Sequence, residues 1–221
     1  MGEKLWMDFL AFDLEQLPYV IVVLLIAFTV HEFAHAYVAY KFGDLTAKNE
    51  GRVTLNPVSH LDPVGTIFIL LFGFGWARPV PVNRFYFKNP RLAGILVSFA
   101  GPFSNLVVAS IGYFVWYGLL AAGVEISPLI VPFFEMLIWL NLVLFVFNLL
   151  PFPPLDGYRI IEDLVSAEMR AKLTQFEQYG MLVFLIIVLT PLSHYTIDPL
   201  FQTVLPFISG TLSQFFSGIF F

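Results

Sequence analysis

An H-E-x-x-H motif that begins at His31 lies inside a stretch that otherwise carries no charge. Residues 17–30 and 36–40 contain no charged residue, and residues 17–40 would form a helix of about 36 Å, long enough to cross a bilayer. Positions i and i+4 of a helix share one face, so His31 and His35 can bind one metal ion. Glu32 projects at another angle, where it can take a proton from water. The motif predicts a metal-dependent hydrolytic centre inside a membrane-spanning helix.

The remaining composition is that of an integral membrane protein. Of the 221 residues, 58% are hydrophobic and 12% are charged, whereas soluble domains carry about 25% charged residues. This length predicts a single membrane-embedded domain, residues 1–221, of all-α class with about five to six spans. With no cysteine, a metal ion must be bound by His, Asp or Glu. The sequence has no basic tract of the kind that binds nucleic acid, so no nucleic-acid partner is expected. The lipid bilayer is the surrounding that the composition predicts.

Further apolar stretches predict the other helices. Residues 92–124 and 128–150 are long enough for two more full spans, and residues 179–192 for a shorter one. Small and polar residues recur at helical spacing within residues 200–221, a segment that either spans the bilayer or lies in its interface. Residues 67–74 are apolar but too few to cross, which predicts a buried β-hairpin or a re-entrant segment between the first two full spans.

Two histidines do not complete a catalytic zinc site, which has three protein ligands and one open position. The remaining donors near apolar segments are Asp156, Glu135, His60, Asp62 and His194.

Topology favours Asp156 under one assumption, that residues 67–74 enter the bilayer and return. Both basic loops, residues 41–52 and 78–91, then face the cytoplasm, as the positive-inside rule favours. The first and third full spans run in the same direction and bring His35 and Asp156 to the cytoplasmic side. If residues 67–74 crossed instead, Asp156 would lie on the opposite side of the membrane. We adopt the re-entrant assumption, which predicts a site toward the cytoplasmic face.

Prolines at positions 151, 153 and 154 predict that the third full span unwinds over residues 148–154. Non-helical backbone at membrane depth is tolerated where it is buried in protein or lines a cavity. Such backbone can also pair with an extended peptide. This favours a peptide substrate.

In this order, the motifs resemble the site-2 protease family of intramembrane zinc metalloproteases. They are H-E-x-x-H, then G-P-x-x-N at residues 101–105, then N-x-x-P-x-P-P-L-D-G at residues 148–157. The resemblance identifies residues 17–160 as a catalytic core of three helices, followed by an interfacial helix and C-terminal helices in residues 161–221. Residues 55–66 resemble the short members that lack a PDZ domain.

The resemblance implies a metalloendopeptidase with one zinc ion held by His31, His35 and Asp156. It implies that Glu32 is the general base and that Asn148 positions the substrate or stabilises the tetrahedral intermediate. The implied substrates are transmembrane helices of membrane-anchored regulators, and the implied location is the prokaryotic plasma membrane.

Several alternatives stay open at this point. Asn105 either contributes to substrate binding or forms a hydrogen bond between helices. His60 either has a structural role in a turn or approaches the zinc in an inhibited state. The same three ligands would also serve a hydrolase of a non-peptide membrane substrate, or a metal transporter.

Overall fold

The computed structural model describes residues 12–72 and 75–221, and within these ranges every regular element is a helix. In chain order these are α1 (Leu17–Lys41), α2 (Thr46–Asn49), α3 (Pro63–Phe72), α4 (Pro90–Ala121), α5 (Ile130–Asn148), α6 (Asp156–Leu164), α7 (Ala167–Leu189), α8 (Ser193–Thr196) and α9 (Asp198–Phe220). This confirms the all-α class. Among the described residues, four helices, α1, α4, α5 and α9, are long and apolar enough to span a membrane, whereas the sequence predicts five to six spans.

Local sequence signals account for the ends of the long helices. Pro18 lies in the first turn of α1, and α1 is followed by Gly43 at φ +101°, a conformation that ends helices because glycine adopts it without strain. The side chain of Asn89 accepts a hydrogen bond from the backbone N–H of Leu92 and so caps α4. Helix α5 ends at Asn148, just before the prolines at 151, 153 and 154.

Helices α1, α4 and α5 pack on one another in all three pairings, and α4 also contacts α6 and α9. The α1–α5 side of this three-helix core is filled by fully buried Val20 and Val23 together with Leu137 and Leu140. Many other apolar side chains on the long helices are exposed, as expected where lipid replaces water as the solvent.

The segment between His60 and Arg78 begins and ends at the same place in the molecule. The backbone N–H of Arg78 donates to the carbonyl of His60 at 2.8 Å, so both ends of the segment meet. A Cβ on Gly65 would lie 2.0 Å from the carbonyl oxygen of Trp76, which shows how closely the returning chain packs on α3. The described part of this segment is a helix and an extended return, rather than the β-hairpin that was one of two predictions. Residues 67–72 are an uninterrupted run of Ile, Leu and Phe, with no turn residue inside it for a hairpin. Residues 73 and 74 of the predicted segment lie outside the described residues.

The basic loops and the start of α7 lie together at one end of the molecule. Arg52, only 2% exposed, donates to the carbonyls of Arg78 and Pro79 at 2.6 and 3.0 Å. Arg84 pairs with buried Asp163 of α6, and Arg170 of α7 approaches the same carboxylate at 3.3 Å. These contacts join both loops to α6, whose first residue is Asp156.

Candidate metal centre

His31 and His35 lie one turn apart on the buried face of α1. Their Nε2 atoms are 3.0 Å apart, and both residues are buried, with His31 6% and His35 8% exposed. Asp156 approaches from the first turn of α6, with its Oδ2 atom 3.2 Å from the Nε2 of His31 and 3.3 Å from that of His35. One donor atom from each residue therefore faces a common point.

Hydrogen bonds behind the imidazoles fix their orientation. The Nδ1–H of His35 donates to the carbonyl of Val97 at 2.7 Å, and that of His31 donates to the Oδ1 of Asn105 at 2.6 Å. Both acceptors are on α4. A neutral imidazole that donates from Nδ1 keeps a lone pair on Nε2, so both rings present acceptors to the common point.

The position of Asp156 depends on a tight turn after α5. A Cβ on Gly157 would lie 2.3 Å from the carbonyl oxygen of Leu149, so only glycine fits where α6 begins. Leu150 and Leu155, at 4% and 8% exposed, anchor this turn against Phe184 of α7. The turn thus carries Asp156 back toward α1.

These three residues fit a metal ion. Two Nε2 lone pairs and a carboxylate oxygen would repel one another at 3.0–3.3 Å unless a cation lay between them. Ligand atoms 2.0–2.1 Å from a tetrahedral zinc lie about 3.3 Å apart, which matches the observed separations. The Oδ2 of Asp156 is also buried without a hydrogen-bond partner, an arrangement that a cation would satisfy. Within the described ranges, this is the one cluster of His, Asp and Glu with such geometry.

Glu32 lies beside this group but is not part of it. The residue is 8% exposed, and its carboxylate forms no hydrogen bond within the part of the chain that the structure describes. Burial lowers the pKa of the neighbouring Arg52 guanidinium, while the charge of Glu32 acts in the opposite direction. The carboxylate of Glu32 is buried beside the metal group and has free lone pairs, so it can accept a proton from water.

Asn105 lies behind His31 and is fully buried. Its Oδ1 accepts from His31, and its Nδ2 donates to the Oδ1 of Asn141 at 2.9 Å and to the carbonyl of Ala27 at 3.3 Å. All the polar atoms of this side chain thus have partners in α1 and α5. The arrangement favours the helix-to-helix alternative over substrate binding.

The structure places the other predicted residues apart from the metal group. Asn148 is half-buried at the end of α5, and its Nδ2 donates to the carbonyl of Leu144 at 2.9 Å. His60 is fully buried and bonded through Nε2 to the carbonyl of Thr54 at 2.8 Å, which favours its structural role. The remaining ligand candidates Asp62, Glu135 and His194 are also outside the group: Asp62 caps α3, and His194 pairs with Asp198.

Sequence reasoning missed three features of α4 and α5 that support the group. Asn141, fully buried, holds Asn105, and the carbonyl of Val97 holds His35. Gly101 leaves space for both rings, since a Cβ there would lie 2.2 Å from the Nε2 of His35. An amide in an otherwise apolar span was the available signal for Asn141; a backbone carbonyl leaves no signal in the sequence.

Comparison with known proteins gives consistent results. Residues 120–191 match the description "Peptidase family M50". The chain is 56% identical over 216 residues to the "Putative zinc metalloprotease YwhC" of Bacillus subtilis (strain 168), covering 96% of this chain and 97% of that relative. It is 32% identical over 175 residues to the "Putative zinc metalloprotease Rip2" of Mycolicibacterium smegmatis, covering 76% of this chain and 65% of that relative. No solved structure matches.

Proposed function

Since the chain belongs to peptidase family M50, the site-2 protease family of zinc metalloproteases, we propose that it hydrolyses peptide bonds within or near transmembrane helices of membrane-anchored proteins. The observation that carries this proposal is the convergence of His31, His35 and Asp156 on one point, next to the unpaired carboxylate of Glu32. The helices that build this point, together with α3 and the first turn of α6, fall within residues 17–160, which we take as the catalytic core.

His31, His35 and Asp156 would hold the zinc ion. Zinc supplies Lewis-acid chemistry when bound, because it polarises a carbonyl oxygen and makes water acidic near neutral pH. Val97 and Asn105 keep both Nε2 lone pairs aimed at the site. Glu32 takes a proton from the attacking water on a carboxylate oxygen and then delivers it to the nitrogen of the leaving amine.

The backbone after α5 supports a peptide as the substrate. Residues 149–155 form turns rather than a helix and lead directly to Asp156. A helical substrate must unwind before hydrolysis, and an extended segment could pair with non-helical backbone here. Asn148 stands at the start of this segment. In the described part of the chain its side chain uses one Nδ2–H, which donates to the carbonyl of Leu144, so the second N–H remains available as a donor. We assign to Asn148 the contact with the substrate carbonyl.

We place the site toward the cytoplasmic side of the plasma membrane. The meeting of Arg78 with the carbonyl of His60 supports a re-entrant segment, because the chain between them returns to its starting end. Both basic loops then share a side with α6, as the contacts of Arg52 and Arg84 favour.

The test uses purified protein in lipid vesicles and a tagged transmembrane peptide. Wild type should cleave the peptide, and a chelator should abolish cleavage. Glu32→Gln should lower kcat by about 10²–10⁴-fold, the usual contribution of a general base, while zinc content stays unchanged. Cleavage by Glu32→Gln at the wild-type rate would refute the assigned role. Zinc flux without cleavage would point to transport, and turnover of a lipid ester alone would point to a non-peptide hydrolase.

A further inference from the structure

A cavity of about 600 Å³ lies between α4, α5 and α9, away from the metal group. Six of its thirteen lining residues are aromatic, among them Tyr113 and Trp116 from α4 and Phe134 and Trp139 from α5. One carboxylate, that of Glu135, also lines it and is exposed there.

Hydrogen bonds hold the cavity's third wall in place. The hydroxyl of Tyr113 bonds to the Oγ of Ser209 at 2.6 Å, and that of Tyr117 bonds to the Oγ of Ser213 at 2.6 Å. Because both serines are on α9, this helix is fixed against α4 beside the opening. The cavity is therefore a built feature of the helix packing.

Glu135 has no cation of its own chain to pair with in the described ranges. It forms no ion pair there. Every Lys and Arg of the described residues lies within residues 41–91 or 159–172, which belong to the opposite end of the molecule. An ionisable group inside a span is costly and marks a site whose partner must be identified. A carboxylate among tryptophan and tyrosine rings suits an organic cation, which the ring faces also attract.

The depth of Glu135 decides which cation can reach it. Helix α5 has 19 residues and so measures about 28 Å, close to the whole hydrocarbon thickness. Glu135 is five residues after Ile130, or about 8 Å inside the apolar layer. A lipid ammonium group would have to leave the headgroup layer to reach this depth. A basic side chain on a transmembrane segment is brought there by its own backbone.

Helices α4 and α5, which line the cavity, also carry the residues that orient His31. Leu142 lines the cavity, and the preceding residue, Asn141, holds the Asn105 that orients His31. Asn148, to which we assign the contact with the substrate carbonyl, is thirteen residues after Glu135, or about 20 Å along α5. A substrate lying along α5 would span that distance with about six extended or thirteen helical residues.

We propose that this cavity is a substrate subsite for a Lys or Arg side chain, with Glu135 as its counter-ion, about six to thirteen residues from the scissile bond. The inference rests on the proposed function and adds a substrate class to it: transmembrane segments with a basic residue on the side of the scissile bond away from the cytoplasm.

The experiment measures peptide binding separately from hydrolysis. Transmembrane peptides that carry either Lys or acetyl-lysine, scanned from four to fifteen residues from the cleavage site, are bound to the Glu32→Gln protein in phosphatidylglycerol vesicles. Energy transfer from tryptophan to a label on the peptide reports binding. We expect the Lys peptide to bind about tenfold more tightly at one or two neighbouring positions, since a charge-assisted contact in an apolar site contributes at least that much.

Two variants act as test and control. Adding Glu135→Gln should remove the Lys preference and leave binding of the acetyl-lysine peptide unchanged. Adding Glu125→Gln, at an exposed carboxylate in the loop before α5, should leave the preference intact. Equal zinc content in these proteins shows that each is folded.

The outcomes separate this inference from the proposed function. Equal binding of both peptides at every position overturns the subsite, even if active protein cleaves all of them. Failure of active protein to cleave any peptide overturns the proposed function, while the binding ratio still decides the subsite. If replacing phosphatidylglycerol by phosphatidylethanolamine changes tryptophan fluorescence only in proteins that retain Glu135, and no Lys preference exists, the cavity takes a lipid ammonium group and the subsite is refuted.

Discussion

Gly101→Ala should abolish zinc binding while leaving the fold intact. Gly101 is buried in α4 opposite the two imidazoles, and a Cβ built there would lie 2.2 Å from the Nε2 of His35 and 2.6 Å from that of His31. These nitrogen atoms are the ones that face the metal position. The added methyl group would therefore compete with the ion for the same space.

The size of the effect follows from how far the rings would have to move. Ordinary contacts begin at 3.4 Å, so the Nε2 of His35 would have to retreat by about 1.2 Å. Zinc sites tolerate deviations of only about 0.2 Å in ligand distance. The ring cannot retreat freely, because its Nδ1–H is bonded to Val97 at 2.7 Å. We expect zinc affinity to fall by at least about 100-fold, or about 2.8 kcal/mol of binding free energy.

The assay is competition between the protein and a chromophoric zinc chelator, with thermal unfolding of the metal-free protein measured in parallel. Alanine is favoured over glycine in a helix by about 0.5–1 kcal/mol, so the metal-free variant should not lose much stability. Gly218→Ala in α9 is the matched control, since its Cβ would meet no atom within 4 Å. Zinc affinity within threefold of wild type in Gly101→Ala would refute the geometry assigned to α4. Loss of folding in the metal-free variant would show that packing, rather than the ligands, limits the site.

Three further predictions concern Asn105, Asn148 and His60. Asn105→Ala should weaken zinc binding by about 10–100-fold, because His31 loses the acceptor that orients its ring. Equal zinc affinity in Asn105→Ala and wild type would contradict this role of Asn105. Asn148→Ala should lower kcat and leave zinc affinity unchanged. Burial lowers the pKa of His60 below its ordinary value of about 6.5, so below that pH the unfolded chain binds a proton that the folded chain does not. The contribution of His60 to stability should be constant above about pH 6.5 and should fall on acidification down to the lowered pKa of His60. Unfolding of metal-free wild type and His60→Gln from pH 8 to 4.5 tests this, and identical pH profiles would refute it.

The sequence predicted the parts of the site that depend on spacing within one helix. The i, i+4 pair His31 and His35 needs only α1 to be helical, and an uncharged stretch of that length leaves few alternatives. Topology and the resemblance both predict Asp156 as the third ligand. Its Oδ2 atom lies 3.2–3.3 Å from the Nε2 atoms of both imidazoles. The three-helix arrangement of α1, α4 and α5 follows from the same limited set of membrane-compatible folds.

The parts that sequence could not supply depend on how helices face one another. Hydropathy does not distinguish the fully buried Asn105 and Asn141 from amides that face a water-filled path. Hydropathy likewise does not decide whether residues 67–74 form a β-hairpin or a re-entrant segment, because a short apolar run is compatible with either structure. The hydrogen bond from Arg78 to His60 is a long-range contact, and nothing local in the sequence encodes it.

The metal group depends on the register between α1 and α4 more than on any single contact. Val97, Gly101 and Asn105 follow one another at intervals of four residues, so successive turns of α4 present a carbonyl acceptor, a gap and an amide acceptor on one face. His35 and His31 meet these turns from α1, and fully buried small residues, including Ala27 and Ala39, let the two helices approach closely. A shift of one residue between the helices would place a side chain in the gap and remove both acceptors. A helix that supplies none of the three proposed ligands therefore determines whether they can bind zinc.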